Sequence, residues 1–310
     1  MAKKVMVTGG AGFLGSYVVE ELKTKNYDVF VPRSSRTDLR RRDSVVRVYN
    51  YAEPEIVIHL AAVCGGIGIN QKKPGQFLYD NLIMGLEMLD VARDFNIEKY
   101  VQVGTVCAYP KFCPTPFKEE DLWNGFPEET NAPYGVAKKT LMLQCQAYRQ
   151  QYGMNAITVI PVNLYGPRDN FDTFSSHVIP ALIRKCMTAK KSGAKSIEVW
   201  GTGSAFREFL YVEDCAKAIV LATENYNGSK PVNIGTGSEI SMRNLVEVVK
   251  EVTEYHGETI WDHTKPDGQP RRCLDTTRAK KEFGFEAKTD LLSGLRQTVE
   301  WYAKNLDSNI

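Results

Sequence analysis

A glycine-rich turn near the start of the chain constrains the fold more than any other feature. Residues 5–7 are apolar and predict a buried strand, which runs into Gly9, Gly12 and Gly15 and then into a helical pattern. Strand, glycine turn and helix in this order are typical of a dinucleotide-binding loop. The glycines let the backbone approach a pyrophosphate, whose charge the helix N-terminus stabilises. An ordinary strand-to-helix turn is the alternative, because Gly-x-x-Gly-x-x-Gly is a wider spacing than Gly-x-Gly-x-x-Gly.

The segment after the second predicted strand indicates which dinucleotide is bound. Sites for NAD usually have an acidic residue there, which bonds the ribose 2′-hydroxyl. Here residues 28–32 are followed by Arg33, Ser34, Ser35 and Arg36, and two guanidinium groups suit a 2′-phosphate. We therefore predict NADP(H) rather than NAD(H), with a solvated loop arginine as the alternative for either residue alone. Residues 40–42, all arginine, are interpreted as the exposed start of a helix.

Predicted strands alternate with helices through the first half of the chain. Residues 56–62, 100–104 and 156–160 predict buried strands, and the periodicity of residues 74–95 predicts a helix. This alternation favours an α/β fold, and we predict a Rossmann-type doubly wound parallel sheet. His59, inside the first of these strands, is interpreted as a core histidine rather than a catalyst.

Candidate ligand-contacting residues share one position in this fold. Gly12, Arg33, Thr105 and Asn163 each fall at the carboxyl end of a predicted strand. In doubly wound sheets, ligands bind outside those ends. The shared placement therefore predicts one site along one edge of the sheet.

Tyr134 and Lys138 form a second motif, Tyr-x-x-x-Lys, near the start of a predicted helix. Residues four apart share a helix face, so the hydroxyl and the ammonium can point into one site. A nearby cation favours the phenolate, and we expect Lys138 to lower the pKa of Tyr134. The phenol would then exchange protons near neutral pH. An ordinary solvent-exposed pair is the alternative for the motif taken alone.

Composition excludes several classes of protein. The chain has 310 residues, 43% of them hydrophobic, which is long enough for a large core or two lobes. A formal net charge of +2 is too balanced for a dedicated nucleic-acid binder. No apolar run predicts a membrane span or a secretory signal. The seven cysteines lack paired zinc spacing, so we expect no metal site and reduced thiols in a cytoplasmic protein.

With both motifs in one chain of this length, the sequence resembles the extended short-chain dehydrogenases/reductases. Within that superfamily it is similar to the GDP-L-fucose synthase family, which are GDP-4-keto-6-deoxy-D-mannose 3,5-epimerase-4-reductases. The segments that carry this resemblance are residues 104–110, 161–167, 169–171, 176–180, 199–203, 207–209 and 265–268. One departure is Thr105, where the family usually has serine. Threonine keeps the hydroxyl and adds a methyl group.

The resemblance implies the catalytic roles. Cys107 would be the base and His177 the acid that invert C3 and C5, which both flank the C4 ketone. Tyr134 would protonate the C4 oxygen during reduction, Thr105 would bond the same oxygen, and Lys138 would hold the nicotinamide ribose. Without the resemblance, Cys107 is equally a small buried apolar group, and His177 could simply cap the helix that follows it.

The resemblance also implies two sets of binding residues. NADP(H) would contact Gly9, Gly12, Phe13, Leu14, Gly15, Arg33, Arg36, Lys138, Pro161, Asn163, Leu164 and His177. The GDP part of the substrate would contact Lys185, Trp200, Arg207 and Asp275. Trp200 offers a flat face for a base, and Arg207 a fork for a diphosphate. A core tryptophan is the alternative for Trp200.

Two domains are predicted. Residues 1–164 would bind NADP, with residues 207–235 returning to that domain, and residues 165–310 would form a smaller α/β domain for the nucleotide sugar. The helix that begins near Tyr134 is long and apolar, and such helices usually pair across a homodimer in this superfamily.

Two other functions stay open. One is a related enzyme of another nucleotide sugar, such as a GDP-heptose epimerase/reductase or a UDP-sugar 4-epimerase. A plain 4-epimerase needs only Tyr134 and the cofactor, so the pair Cys107 and His177 argues against it. The other is a non-catalytic NADP-sensing regulator, which need not retain Tyr134, Lys138, Cys107 and His177 together.

Overall fold

The computed structural model describes residues 2–305. The strands in chain order are β1 Lys4–Thr8, β2 Asp28–Phe30, β3 Ile56–His59, β4 Lys99–Val103, β5 Ala156–Pro161, β6 Asn163–Tyr165, β7 Ser196–Trp200, β8 Phe206–Arg207, β9 Phe209–Tyr211, β10 Val232–Ile234, β11 Ile240–Ser241, β12 Glu258–Asp262 and β13 Arg271–Arg272.

The α-helices in chain order are α1 Phe13–Thr24, α2 Arg42–Ala52, α3 Ile67–Lys72, α4 Pro74–Asp94, α5 Ala132–Tyr152, α6 Val178–Ser192, α7 Val212–Asn225, α8 Met242–Thr253, α9 Thr277–Phe283 and α10 Leu291–Asn305. Two short 3₁₀ helices, Val106–Ala108 and Glu119–Trp123, lie between β4 and α5.

Six strands form one parallel sheet in the order β2-β1-β3-β4-β5-β10. The chain runs outward from β1 in both directions, so the strand order reverses between β1 and β3. This is the Rossmann-type doubly wound arrangement, and the prediction of fold class is confirmed. A ligand crevice is expected outside the carboxyl ends of β1 and β3, where the order reverses.

Alternating side chains bury both faces of this sheet. Val5 and Val7 belong to a core with helices α1 and α7, whereas Met6 belongs to a core with α2, α4 and α5. Successive side chains of a strand point to opposite faces, and a parallel sheet is covered by helices on both sides. The strands therefore read as continuous apolar runs.

A further core lies in the later part of the chain. Helices α6, α8 and α10 pack around β7 in this cluster, and β7 pairs with β12 in parallel. In contrast, α7 packs in the core of the large sheet, and β10 is that sheet's edge strand beside β5. The boundary between residues 164 and 165 stays a prediction, and residues 1 and 306–310 of the predicted domains lie outside the described residues.

Within residues 2–305, none of the helices combines the length and apolar character needed to cross a bilayer.

The first testable prediction concerns Gly15 in α1. A Cβ added there would lie 2.1 Å from the Gly9 carbonyl oxygen, a backbone atom that cannot rotate away. We expect Gly15→Ala to lower the free energy of unfolding by about 1–3 kcal/mol, as overpacking of a rigid contact does. Differential scanning calorimetry would measure the loss.

Gly75→Ala is the matched control, because Gly75 also lies in the first turn of a helix. An added Cβ there meets no atom within 4 Å, so alanine should be neutral or slightly stabilising. Equal stability of the two variants would contradict the close contact at Gly15.

Candidate active site

One cavity of about 1060 Å³ opens along the carboxyl edge of the sheet. Its walls come from the glycine turn, from the loops after β2, β3 and β4, and from α6 and β7. A cleft of this size matches or exceeds ordinary ligand pockets. It therefore has room for two large ligands that meet at its centre.

The glycine turn forms the cofactor side of the cavity. Gly9 has φ +70°, and a Cβ there would lie 2.8 Å from the Ala61 backbone nitrogen. Phe13 and Leu14, at the start of α1, also line the cavity, and no side chain caps this helix. The free N–H groups and the absence of Cβ atoms leave a cradle that fits a pyrophosphate.

The loop after β2 brings only one of the two arginines predicted to contact the cofactor into the cavity. Arg33 and Ser34 line the cavity, but Arg36 does not. The Arg33 carbonyl accepts the backbone N–H of Arg36 and of Thr37, each at 2.9 Å, so the chain turns and carries Arg36 to the exposed side. Arg40 does line the cavity, which corrects its interpretation as part of an exposed helix start.

Four of the predicted catalytic residues meet at the centre of the cavity. Thr105, Cys107, Tyr134 and Lys138 all line it. Thr105 follows β4, and its Oγ1 accepts the Cys107 backbone N–H at 3.2 Å. Helix α5 packs so closely here that a Cβ at Gly135 would lie 2.3 Å from the Cys107 carbonyl oxygen.

The electrostatics of Tyr134 differ from the expectation that Lys138 lowers its pKa. Burial raises the pKa of Tyr134, the thiols of Cys64 and Cys107 raise it further, and the Thr105 hydroxyl opposes them. The Lys138 ammonium instead donates to the Val103 carbonyl at 3.1 Å, and burial lowers the pKa of Lys138 to about 8. Tyr134 is therefore held as the neutral phenol, which can donate a hydrogen bond and can give its proton to a stronger base.

His177 lies immediately before α6 and faces the same cavity. Its side chain makes no capping hydrogen bond, so the alternative role as a helix cap is excluded. Burial within the cleft lowers the pKa of His177, and the nearby guanidinium of Arg272 lowers it further. The loop that carries His177 is joined to the loop after β3, where the Gly66 N–H donates to the Ser175 carbonyl at 3.2 Å.

His59 is a core residue, as predicted. It is fully buried in β3, and its Nδ1 is 2.8 Å from the Thr8 hydroxyl. Burial lowers the pKa of His59 to about 3, so the ring is neutral. It does not line the cavity.

Pro161, Asn163 and Leu164 line the cavity beside the catalytic centre. Asn163 is oriented by a hydrogen bond of 2.9 Å from its Nδ2 to the Glu208 carbonyl. All predicted cofactor-contacting residues other than Arg36 thus border one continuous space.

The opposite end of the cavity contains Lys185, Trp200 and Arg207. Trp200 is 48% exposed, so it is not a core tryptophan. Burial and the neighbouring Arg272 lower the pKa of Arg207 to about 9. Asp275 lies outside the lining residues, because its carboxylate accepts the Thr277 N–H at 2.9 Å at the start of α9. Its predicted contact with the substrate therefore stays a prediction.

Sequence reasoning missed Cys64, Asp267 and Arg272, which all line the cavity. Cys64 follows β3, so the rule of strand carboxyl ends could have identified it. Arg272 is 7% exposed, and its Nε donates to Gln269 Oε1 at 2.8 Å. No local pattern distinguishes it from its exposed neighbour Arg271.

Comparison with known proteins agrees with this architecture. Residues 5–235 match the NAD dependent epimerase/dehydratase family. Over 307 residues, the chain is 41% identical to the probable GDP-L-fucose synthase 1 of Oryza sativa subsp. japonica, which covers 98% of this chain and 93% of that relative. The chain therefore belongs to the NAD dependent epimerase/dehydratase family, and this relative within it is a probable GDP-L-fucose synthase. The resemblance inferred from the sequence is confirmed.

Two solved structures with this fold have different activities. A GDP-6-OMe-4-keto-L-xylo-heptose reductase from C. jejuni is 28% identical, with a TM-score of 0.92 over 98% of both chains. A GDP-L-fucose synthetase from Naegleria fowleri bound to NADP is 29% identical, with a TM-score of 0.88 over 99% of this chain and 94% of that one.

Asp169 begins the loop that leads to His177 and is 8% exposed. Its Oδ1 accepts the Asn170 N–H at 2.7 Å, but its buried Oδ2 has no hydrogen-bond partner. Burial raises the pKa of Asp169 from 3.8 to about 7. The folded protein therefore holds a proton on Asp169 that the unfolded chain releases near pH 4.

The second prediction follows from this carboxyl group. A raised pKa means that stability falls as pH rises from about 4 to about 7 and stays lower above. Asp169→Asn keeps the Oδ1 acceptor and removes the charge. The difference in melting temperature between this variant and the parent should therefore increase in favour of the variant from pH 5 to pH 8. The gain has an upper limit of about 4 kcal/mol, at 1.4 kcal/mol per pH unit.

Asp172→Asn, in the same loop, is the control. Hydrogen bonds from Phe174 and Ser175 lower the pKa of Asp172, so this change should destabilise the protein at pH 8 rather than stabilise it. A stabilising effect of both variants, or of neither, would contradict the account of Asp169.

Proposed function

We propose that the chain performs two successive reactions on one bound GDP-sugar. It epimerises GDP-4-keto-6-deoxy-D-mannose at C3 and C5, and then reduces C4 with NADPH to give GDP-L-fucose. One observation carries the proposal: Cys107, His177 and Tyr134 border a single cavity, between a glycine cradle and an end lined by Trp200 and Arg207.

The residues of the cavity suit NADP(H). The turn from Gly9 to Gly15 would hold the pyrophosphate, and Arg33 would face the 2′-phosphate. Lys138 would bond the nicotinamide ribose, beside Asn163 and the other residues that follow β5. When bound, this cofactor supplies the hydride for C4. The Naegleria fowleri synthetase, which has the same fold, is solved with NADP.

Epimerisation would use the thiol and the imidazole. The C4 ketone acidifies the hydrogens on C3 and C5, so Cys107 removes a proton and the negative charge moves to the C4 oxygen. His177, as the imidazolium, returns a proton from the other face; its lowered pKa makes the imidazolium a stronger acid but a smaller fraction of the enzyme. Tyr134 and Thr105 stabilise the oxyanion, as donors aimed at developing charge do.

Reduction would use the same two donors. When C4 receives hydride, its oxygen becomes an alkoxide that needs a proton. Tyr134 is protonated, because burial raises its pKa, and it gives this proton while Thr105 bonds the oxygen. Lys138 fixes the start of α5 through its bond to the Val103 carbonyl, which keeps Tyr134 in place.

The GDP group would occupy the other end. Trp200 presents an exposed ring for the guanine, and Lys185 lies beside it in the lining. The guanidinium of Arg272 is close enough to lower the pKa of Arg207. The two positive groups would repel each other until an anion lies between them. A diphosphate is the anion that satisfies both.

We also propose a cytoplasmic homodimer that forms through α4 and α5. These two helices pack side by side, and Leu143 and Tyr152 of α5 are 52% and 44% exposed. Exposed apolar side chains on a helix pair favour burial against a second copy.

A second candidate function is reduction of a GDP-heptose, which the C. jejuni reductase favours through its TM-score of 0.92. Incubation with GDP-4-keto-6-deoxy-mannose and NADPH, followed by product analysis, separates the two. GDP-L-fucose as the product supports the main proposal. Turnover of a GDP-heptose alone would replace it.

The third prediction tests the base. Cys107→Ser should slow exchange of the C3 and C5 hydrogens with deuterated water by about 100-fold or more, because the hydroxyl is a far weaker base than a thiolate. Exchange would be followed by NMR. Cys113→Ser is the control, since Cys113 does not line the cavity. Exchange at the parent rate in Cys107→Ser would remove Cys107 from the mechanism.

The fourth prediction tests the proton donor. Tyr134→Phe should reduce NADPH oxidation about 100-fold to 1000-fold, because one donor to the developing alkoxide is lost. Some hydrogen exchange at C3 and C5 should persist, since Cys107 and Thr105 remain.

Tyr148→Phe is its matched control on α5. The Tyr148 hydroxyl donates to Asp90 away from the cavity, so this variant should oxidise NADPH at the parent rate. A Tyr134→Phe variant as active as Tyr148→Phe would refute the role of Tyr134.

A further inference from the structure

The cofactor end of the cavity contains two carboxylates that would oppose a 2′-phosphate. Asp38 and Asp80 both line the cavity, on the same side as Arg33. Asp80 is 8% exposed at its side chain, and Gln76 Nε2 donates to its Oδ2 at 3.2 Å. A dianionic phosphate placed beside two unpaired carboxylates would be repelled by both.

Arg40 is bonded to both carboxylates. Its Nε and one terminal nitrogen donate to the two oxygens of Asp38 at 2.9 Å and 3.0 Å. Its other terminal nitrogen lies 3.4 Å from Asp80 Oδ1. The hydrogen bond from Arg40 lowers the pKa of Asp38, so Asp38 is ionised and paired. A bidentate arginine–carboxylate contact of this kind also fixes the orientation of the guanidinium.

Arg33 has a different environment. Its guanidinium is exposed, and among residues 2–305 no carboxylate forms an ion pair with it. Arg33 is therefore available to an incoming anion, whereas the single charge of Arg40 is already shared between Asp38 and Asp80.

We propose that Arg40 sets the preference for a 2′-phosphorylated cofactor by offsetting one of the two negative charges of Asp38 and Asp80. With Arg40 present, the two arginines and the two carboxylates have no net charge. The free guanidinium of Arg33 then attracts the 2′-phosphate. Without Arg40, the two negative charges of the carboxylates exceed the single positive charge of Arg33. A ribose 2′-hydroxyl tolerates this excess of negative charge, and a 2′-phosphate does not.

The inference rests on the proposed use of NADP(H) and assigns Arg40 a positioning role rather than a direct phosphate contact. It also explains how acidic residues can follow β2 without specifying NAD. Because the groups are partly exposed, the discrimination should weaken at high salt concentration.

Calorimetric binding of two fragments to the full chain tests the proposal without any turnover. Adenosine 2′,5′-bisphosphate carries the 2′-phosphate, and 5′-AMP lacks it. Arg40→Gln should weaken binding of the bisphosphate by about tenfold at low salt and change 5′-AMP binding by less than about twofold. Arg41→Gln is the matched control, because Arg41 pairs with Asp43 and does not line the cavity.

A double variant distinguishes an Arg40 that offsets carboxylate charge from an Arg40 that contacts the 2′-phosphate directly. Arg40→Gln combined with Asp38→Asn removes one positive and one negative charge, so it should recover most of the lost preference for the bisphosphate. Failure of this recovery would overturn the proposal, as would equal weakening of both fragments by Arg40→Gln. If the unaltered protein itself showed no preference for the bisphosphate, the assignment of NADP(H) would fail as well, which is a distinguishable result.

Discussion

The hydrogen bond from the buried Lys138 ammonium to the Val103 carbonyl joins the two elements on which the site depends. Val103 ends β4, and the next residues along the chain include Thr105 and Cys107. Lys138 lies one turn after Tyr134 on α5. A buried cation is stable only when its donors are satisfied, so this bond fixes the helix against the strand. The distances of the Tyr134 phenol from the Thr105 hydroxyl and the Cys107 thiol are then set by how α5 packs against the end of β4.

Charge is distributed unevenly along the cavity. The nucleotide-sugar end gathers guanidinium groups from Arg207 and Arg272, and the cofactor end balances Arg33 and Arg40 against two carboxylates. The centre is different, because burial raises the pKa of Tyr134 and lowers those of Lys138 and His177. Burial therefore favours neutral forms at the place where protons would move, whereas charged side chains line the places where phosphates would bind.

Much of this fold could be predicted from local sequence patterns. The apolar strands, the glycine turn and the helix from Pro74 are visible because their periodicity and backbone requirements involve neighbouring residues only. The rule of strand carboxyl ends then identified Arg33, Thr105 and Asn163 as neighbours in space. Loop residues were harder, because the placement of Arg36 and Arg40 depends on a turn and on Asp80, forty positions away.

The differences from expectation arise from contacts of this kind. Asp275 was expected to contact the GDP part of the substrate, but its carboxylate accepts the N–H of Thr277 and it does not line the cavity, whereas Arg272 does. The expected effect of Lys138 on Tyr134 failed because a carbonyl from β4 engages the ammonium. The contact of Lys138 is long-range and cannot be read from the local pattern, whereas that of Asp275 spans two residues at the start of a helix.

The backbone bond between Gly66 and Ser175 has a consequence for how the enzyme recognises its ligands. It ties the segment that carries the imidazole to the start of α3, and a side chain at Gly66 would collide with the Ser176 carbonyl oxygen at 2.7 Å. The position of the imidazole in the reactive chamber is thus set by contacts of the backbone rather than by side chains. Substitutions at the distant ends of the chamber would then change which carbohydrate fits without moving the imidazole.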